Sequence, residues 1–419
     1  MYKNVFKSFA ITIMILFVLC PKMDAMFSRV KIEKIVPDEK VKFHSRVLDE
    51  ERTILIHLPK GYALSEKKYP VLYVLDAEFF FQQAVSAVEF LSELKYIDVQ
   101  PIPQMIVVGI VNVDRNRDYT PTYAPEQPGG LRYPTSGKAE RFLEFLNTEL
   151  FSFIDSNYKT EPFRVLSGWS FGGLLTVHTY FEHNHLFSAY LAISPSLWWD
   201  GDLYVKKTDT FLSQGQLSTK PLVVTIGTLE GGDMGRSVKD GFFPKMRKSP
   251  GEKIPFTFIE IPEEGHSYVP YKAYYQGLLA LFADWMMPNE IMNDGFEGIH
   301  SFYEKQSKKY GIKIDIPESA YFRLASKYFN EGDKKKAFEI AKEYVNKFPE
   351  SSYAHYYLGM RAKAAGELHL AKKSFFKAID IEESSLEPYS ERIVWSNFFL
   401  QDIEKELELK QQLIKKGDL

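Results

Sequence analysis

Gly168-Trp169-Ser170-Phe171-Gly172 stands between two runs of opposite character. Arg164-Val165-Leu166-Ser167 before it is β-prone, and Leu174-Leu175-Thr176-Val177-His178-Thr179-Tyr180 after it suits a helix. A Gly-x-Ser-x-Gly segment in that setting predicts a nucleophile elbow, a serine held on a sharp, strained strand-to-helix turn. Residues beside such a serine must be small, which Gly168, Gly172 and Gly173 satisfy. The turn lifts the Ser170 hydroxyl above the sheet edge and aims the first amides of the next helix at an incoming carbonyl oxygen. A glycine-flanked serine in an ordinary βα turn is the plainer alternative. The pentapeptide by itself does not separate the two, and the flanking runs favour the elbow.

A serine hydroxyl is a poor nucleophile near neutral pH, so it needs a histidine base, and the base needs a carboxylate to hold its tautomer. For a serine on this kind of elbow the chain order is serine, acid, histidine. Phe256-Thr257-Phe258-Ile259-Glu260-Ile261 alternates like a strand, and Pro262-Glu263-Glu264-Gly265-His266-Ser267 follows it as a loop. His266, beside a glycine just past a late strand, is the expected base. Residues 221–228 read as a buried strand, with Glu230 just past its C-terminal end and Asp233 three residues on. Glu230 is the preferred acid, and Asp233 is the alternative. His178, His183 and His185 fall on or just after the helix that follows Ser170, where a solvated face or a helix-end charge is the ordinary role. His183-x-His185 suggests a metal, but no third ligand is apparent nearby, so no metal site is assigned. His44, His57, His300, His355 and His369 lie in expected strands or helices.

Residues 29–60 alternate in a β pattern, expected to give early antiparallel strands. Strands and helices then alternate to about Trp285, the signature of an α/β class protein with a mostly parallel, doubly wound sheet. Residues 137–158 read as an amphipathic helix leading toward the Ser170 strand. Met286-Met287-Pro288 marks a change of character, after which the chain turns helical. There Leu324, Gly332 and Ala337 recur 34 residues later as Leu358, Gly366 and Ala371. That is the period and residue logic of tetratricopeptide repeats. A third unit beyond Pro388 does not keep the pattern and reads as a capping helix. Two units are few for a free-standing solenoid, so this region should dock on the preceding domain. Residues 296–308 read as a connecting helix placed to cover part of the site.

Lys3 and Lys7 precede a short apolar run, Phe9 to Cys20, and Met23-Asp24-Ala25 offers a small-residue cleavage site. This pattern predicts an export signal over residues 1–25 and a periplasmic or secreted protein. The run is short for a membrane span, so no stable span is expected after cleavage. An uncleaved anchor, or lipidation at Cys20, is the alternative. Cys20 is the only cysteine, so stability cannot rest on disulfides. The formal net charge of −3 carries no basic stripe, which excludes nucleic-acid binding on electrostatic grounds. The expected domains are 1–25 (signal), 26–290 (the α/β domain) and 291–419 (a small all-α, tetratricopeptide-like domain).

Over residues 30–285 the chain resembles the α/β-hydrolase family of esterases that includes esterase D, feruloyl esterase modules, mycolyltransferases and enterochelin-type siderophore esterases. The matching pieces are residues 69–76, Val107-Val108-Gly109-Ile110, residues 114–121, residues 168–173 and Gly265-His266-Ser267. Ser194-Pro195-Ser196-Leu197-Trp198-Trp199-Asp200 is most similar to the siderophore-esterase branch. Ala77 departs from the pattern, since many relatives carry glycine there. The resemblance implies an α/β-hydrolase fold and two-step acyl transfer. Ser170 attacks an ester carbonyl, His266 acts as general base and Glu230 orients the imidazole. The amide of Phe171 would give one oxyanion donor, and Glu78, after the strand at residues 71–75, the second. No cofactor is implied. Trp198 and Trp199 could stack on an aryl ring of the substrate or serve as packing. Arg115 and Arg117 could meet an anionic substrate, but pairing with Asp114 and Asp118 is the favoured role. The expected partner is a small-molecule ester: a siderophore trilactone, or a feruloyl or acetyl ester on polysaccharide. Acyl transfer to another alcohol shares the first step. The alternative of another class is a non-catalytic protein that captures a protein or peptide partner through its helical repeats.

Overall fold

The computed structural model describes residues 38–93, 100–215, 218–248, 255–385 and 388–416. The expected export signal lies outside them. The described residues from Lys40 onward form one compact unit that carries both the α/β and the helical portions.

The chain enters through strands β1 (Asp38–Ser45), β2 (Glu50–His57) and β3 (Tyr69–Leu75), then helix α1 (Ala77–Glu93) and strand β4 (Ile106–Ile110). A short helix α2 (Arg115–Tyr119) and a small hairpin of β5 (Glu126–Gln127) and β6 (Leu131–Arg132) follow. Helix α3 (Ala139–Phe145) continues through a π-helical stretch, Leu146–Leu150, into α4 (Phe151–Asn157). Next come β7 (Thr160–Trp169), α5 (Phe171–Glu182), β8 (Ala189–Ile193), α6 (Trp199–Ser213), β9 (Leu222–Gly227), β10 (Phe256–Ile261) and α7 (Val269–Leu281).

Eight strands form one sheet in the order β1-β2-β4-β3-β7-β8-β9-β10. From β3 to β10 every recorded pairing is parallel, and β2 joins β4 antiparallel with Ile54 opposite Ile110. The expected antiparallel entry and mostly parallel sheet are both present. β3, β4, β8 and β9 are buried at every position, because helices cover both faces. Leu166, Tyr73, Leu174 and Val224 belong to the apolar layer on one face; Leu72, Val165, Leu191 and Tyr274 belong to the layer on the other. The chain passes from β3 outward to β4, then returns to β7 on the opposite side of β3. This is a topological switch point, where open α/β sheets place their sites beyond the strand ends.

Beyond α7 the structure is helical: α8 (Gly295–Tyr310), α9 (Glu318–Asn330), α10 (Lys334–Lys347), α11 (Ser352–Ala364), α12 (Leu368–Glu383) and α13 (Ser390–Lys416). Gly332 and Gly366 lie between helices of successive hairpins at φ 91° and 83°, backbone that glycine adopts without strain. Leu324, Ala337, Leu358 and Ala371 are buried between the helices. α8 docks on the α/β portion. The Tyr310 ring meets Phe163 at 5.3 Å and Phe282 at 5.8 Å, and its hydroxyl donates to Asp284 Oδ1 at 2.9 Å. Phe163 lies near the start of β7, roughly 20 Å along the strand from Ser170 at about 3.3 Å per residue. The expectation that residues 296–308 cover the site is therefore corrected: this helix is anchored at the opposite end of the sheet. No helix among the described residues is long and apolar enough to cross a membrane.

Candidate active site

Ser170 joins β7 to α5 with φ 58° and ψ −112°, a conformation that costs a non-glycine residue energy and persists only when its surroundings enforce it. The enforcement is visible at Gly168, where a Cβ would lie 2.3 Å from the backbone of Gly172. Strand and helix meet too closely there for any side chain. Ser170 is 9% exposed, at the mouth of the turn. Its Oγ makes a 3.2 Å hydrogen bond with Ser196 Oγ, and its carbonyl accepts from the Ser196 amide at 3.0 Å.

His266 follows β10, as expected. Its Nδ1 lies 2.7 Å from Glu230 Oε2. The ring packs 4.6 Å from the ring of Trp169, the residue before the serine, and the Trp169 indole N–H donates to the His266 carbonyl at 2.8 Å. Trp169 thus fastens the histidine loop to the elbow. In this resting arrangement Ser170 Oγ bonds Ser196 rather than the imidazole. Catalytic hydrogen bonds are often long or poorly aligned until substrate binds.

Glu230 is buried beyond the end of β9. Its other oxygen, Oε1, accepts from the Ser194 hydroxyl at 2.6 Å and from the Gly227 amide at 2.8 Å. Burial pushes its carboxyl up, but hydrogen bonds from His266, Ser194 and Gly227 outweigh this and hold it below the usual glutamate range. It is a fixed anion beside Nδ1. Asp233, the alternative, is exposed and pairs with Arg236 at 3.3 Å.

The amide of Phe171 opens α5, and first-turn amides have no intrahelical acceptor. Glu78 is in the first turn of α1, on the neighbouring strand-to-helix connection. Its exposed carboxylate accepts from the Asn112 side chain at 2.7 Å and backbone at 3.2 Å. At Ala77 the departure from glycine is absorbed one residue earlier: Asp76 takes the positive φ, 55°, and Ala77 starts the helix.

The two adjacent tryptophans separate. Trp199 is wholly buried, meets Phe171 and Tyr133 at 5.3 Å each, and donates its N–H to Thr122 at 3.0 Å. A substrate-contact role for Trp199 is thereby corrected to packing beneath the elbow. Trp198 is half-buried, 5.9 Å from the ring of Phe171 and 6.2 Å from that of Trp199. Phe79 and Tyr268 add exposed rings near the site, next to Glu78 and two residues after His266. No periodicity distinguished them in sequence.

The arginines also separate. Arg117 pairs with Asp118 at 2.7 Å, as expected, and with Glu50. Arg115 does not pair with Asp114. It reaches Asp76, fully buried at the end of β3, through Nε at 2.6 Å and a second nitrogen at 3.0 Å, and donates to the Trp169 carbonyl at 2.9 Å. Its guanidinium also lies 5.3 Å from the Phe171 ring. Arg115 and Asp76 brace the elbow from below, a function that neither residue's own neighbours signal in sequence.

Residues 45–233 match the family described as "Putative esterase". Ferri-bacillibactin esterase BesA of Bacillus subtilis is 30% identical over 213 residues, 47% of this chain and 73% of that protein. An IroE-like serine hydrolase of Shewanella oneidensis, solved as a crystal structure, is 30% identical with a TM-score of 0.63, covering 74% of this chain and 99% of its own. The chain belongs to this esterase family. It is a serine-hydrolase-type carboxylic ester hydrolase. An uncharacterised protein of Capnocytophaga ochracea covers 88% of this chain at 18% identity and a TM-score of 0.57, a likeness of fold.

Proposed function

We propose that this protein is an exported esterase working through an acyl-enzyme, with Ser170 as nucleophile, His266 as general base and Glu230 as its orienting acid. The observation that carries the reading is the 2.7 Å contact between His266 and a buried, ionised Glu230, placed against the strained turn that bears Ser170. Ionised Glu230 keeps the proton on Nδ1 and leaves Nε2 free to accept the Ser170 proton. The tetrahedral oxyanion is held by the Phe171 amide and an amide of the Ala77–Glu78 turn. Water then releases the acyl group, with His266 returning the proton to the serine.

The substrate class we propose is an aryl siderophore ester, a catechol trilactone. Two lines support it: the relative named as a ferri-bacillibactin esterase, and the exposed rings of Phe79, Tyr268 and half-buried Trp198 near the site. Flat aryl groups gain offset-stacked contacts on such rings. Export is supported by the charged and apolar pattern of residues 1–25. We read the helical hairpins as tetratricopeptide-like units on the 34-residue recurrence and the matching glycines, and assign them a protein or peptide contact.

The test is hydrolysis by residues 26–419 of three substrates: a catechol trilactone with and without bound iron, a feruloyl ester and an acetylated sugar. The proposal expects the trilactone to give the highest kcat/KM. Preference for the feruloyl or acetyl ester would overturn the substrate class and leave the serine chemistry intact. Periplasmic or extracellular recovery of the tagged full chain tests export, and cytoplasmic retention would refute it.

A further inference from the structure

His178, His183 and Glu140 meet at the far end of the elbow helix. Glu140 is in the first turn of α3, His178 is on α5, and His183 caps the C-terminus of α5. Their ligand atoms all lie within 4.8 Å of one another. His178 Nε2 is 3.1 Å from Glu140 Oε1, and His183 Nε2 is 2.9 Å from Glu140 Oε2. Around a tetrahedral ion with bonds of about 2.0–2.1 Å, neighbouring ligand atoms are separated by about 3.3 Å. These spacings are therefore already close to those of a coordination sphere.

His178 supplies the second observation. Its side chain is 4% exposed, and its Nδ1 is hydrogen-bonded to the hydroxyl of buried Tyr204 on α6. Its Nε2 is buried and faces Glu140 Oε1 at 3.1 Å, inside the cluster. The Tyr204 oxygen fixes the ring, and with Nδ1–H donating to it the Nε2 lone pair is left for an ion, which is how outer partners prepare metal-binding histidines. Nε2 and the carboxylate oxygen 3.1 Å away need a cation between them, which is either the Nε2 proton or a bound metal ion that displaces it. His183 departs from helical geometry (φ −133°), which swings its ring back beside His178, 5.4 Å away between centroids. Glu140 is 63% exposed, so solvent has access to the remaining coordination position.

We propose that Glu140, His178 and His183 bind a divalent transition metal ion of the zinc class, with Tyr204 orienting His178. Two imidazoles and a carboxylate suit zinc or cobalt better than calcium or magnesium, which take oxygen ligands. His178 lies eight residues from Ser170 along α5, about 12 Å at 1.5 Å per residue, so the ion takes no part in ester chemistry. It pins the end of the elbow helix to α3. Sequence spacing pointed to His183-x-His185; the fold instead joins His183 to His178 and to Glu140, 43 residues upstream, and His185 is not in the cluster.

The test is titration of the metal-stripped full chain with zinc by calorimetry, and with cobalt by visible absorption. One equivalent should bind, and cobalt should give the intense bands of a tetrahedral site. Glu140→Gln and His183→Asn should each weaken binding at least about tenfold, and His300→Asn, an exposed control, should not. Tyr204→Phe, which removes no ligand, should weaken it by roughly tenfold or more through loss of the orienting contact. Zinc should raise the Tm of the parent and not of His183→Asn. An absence of binding to the parent, or affinity unchanged in Glu140→Gln and His183→Asn, overturns the proposal. The first result would leave a proton-sharing histidine pair, and the second an adventitious surface site.

Discussion

Glu230→Gln isolates the role of charge at the acid position, because the amide keeps the shape and must break the polarity. Oε1 of Glu230 takes hydrogens from Ser194 at 2.6 Å and from the Gly227 amide at 2.8 Å. A glutamine must keep its carbonyl oxygen there, since the backbone N–H has no other use. Its NH2 then faces His266 Nδ1, which must accept instead of donate. The proton moves to Nε2, and the imidazole loses the lone pair that would take the serine proton. The same tautomer reversal in a well-studied serine protease costs about 10⁴ in kcat, or about 5.5 kcal/mol of transition-state stabilisation. We expect a loss of that order for Glu230→Gln, measured as kcat/KM on a short-chain p-nitrophenyl ester, and a change within about twofold for Asp233→Asn. Stability supplies a second reading. Glu230 titrates below its ordinary value of 4.5 in the folded chain. Its ionised form therefore stabilises the fold above the unfolded value, and that contribution is lost as pH falls through the lowered one. The Tm deficit of Glu230→Gln should be full at pH 7 and shrink as the pH drops below about 4.5. A folded Glu230→Gln enzyme within tenfold of the parent would refute the tautomer argument.

Three further outcomes follow from packing and charge. Arg115→Met strips a buried carboxylate of its charged partner and should cost about 3–5 kcal/mol by denaturant unfolding, whereas Arg115→Met with Asp76→Asn should recover much of it; a double-variant loss equal to the sum of the Arg115→Met and Asp76→Asn losses would mean that the pair is not coupled. Gly173→Ala places a Cβ 2.9 Å from both the Ile193 carbonyl oxygen and Pro195 Cα, and should destabilise by about 1–3 kcal/mol; an unchanged midpoint would contradict the close contact. Trp199→Ala empties a fully buried site for about 3–5 kcal/mol, whereas Trp198→Ala should alter KM for aryl esters more than stability; the reverse pattern would exchange their roles.

What was legible in sequence was what local chemistry dictates. The elbow announces itself because glycine, serine and the flanking β-prone and helical runs are contiguous. Glu230 and His266 were found 36 residues apart because each follows a hydrophobic strand, and parallel strands bring such ends to one edge. Residues whose partners lie across the fold were not legible. Arg115 sits beside Asp114, yet it reaches Asp76 because α2 turns back over the end of β3. Trp198 and Trp199 are adjacent and chemically identical, and only the start of α6 decides that one faces outward and the other inward. Ser194 and Ser196 were visible as part of a family-like segment, but their bonds to Glu230 and Ser170 depend on the loop after β8 running between those groups. Glu140 gave no sign of its histidines, because helix packing rather than spacing joins them.

The central claim is that Ser170 is the nucleophile, and labelling tests it most directly. The protein should be treated with a fluorophosphonate, its ester hydrolysis followed, and the adduct located by peptide mass spectrometry. The account predicts one adduct per chain, on Ser170, with activity lost in proportion, and neither labelling nor turnover in a folded Ser170→Ala variant, whose loss should approach a million-fold, as in a well-studied protease (~10⁶). An adduct on another residue, or ester hydrolysis that survives full labelling of Ser170, would contradict it.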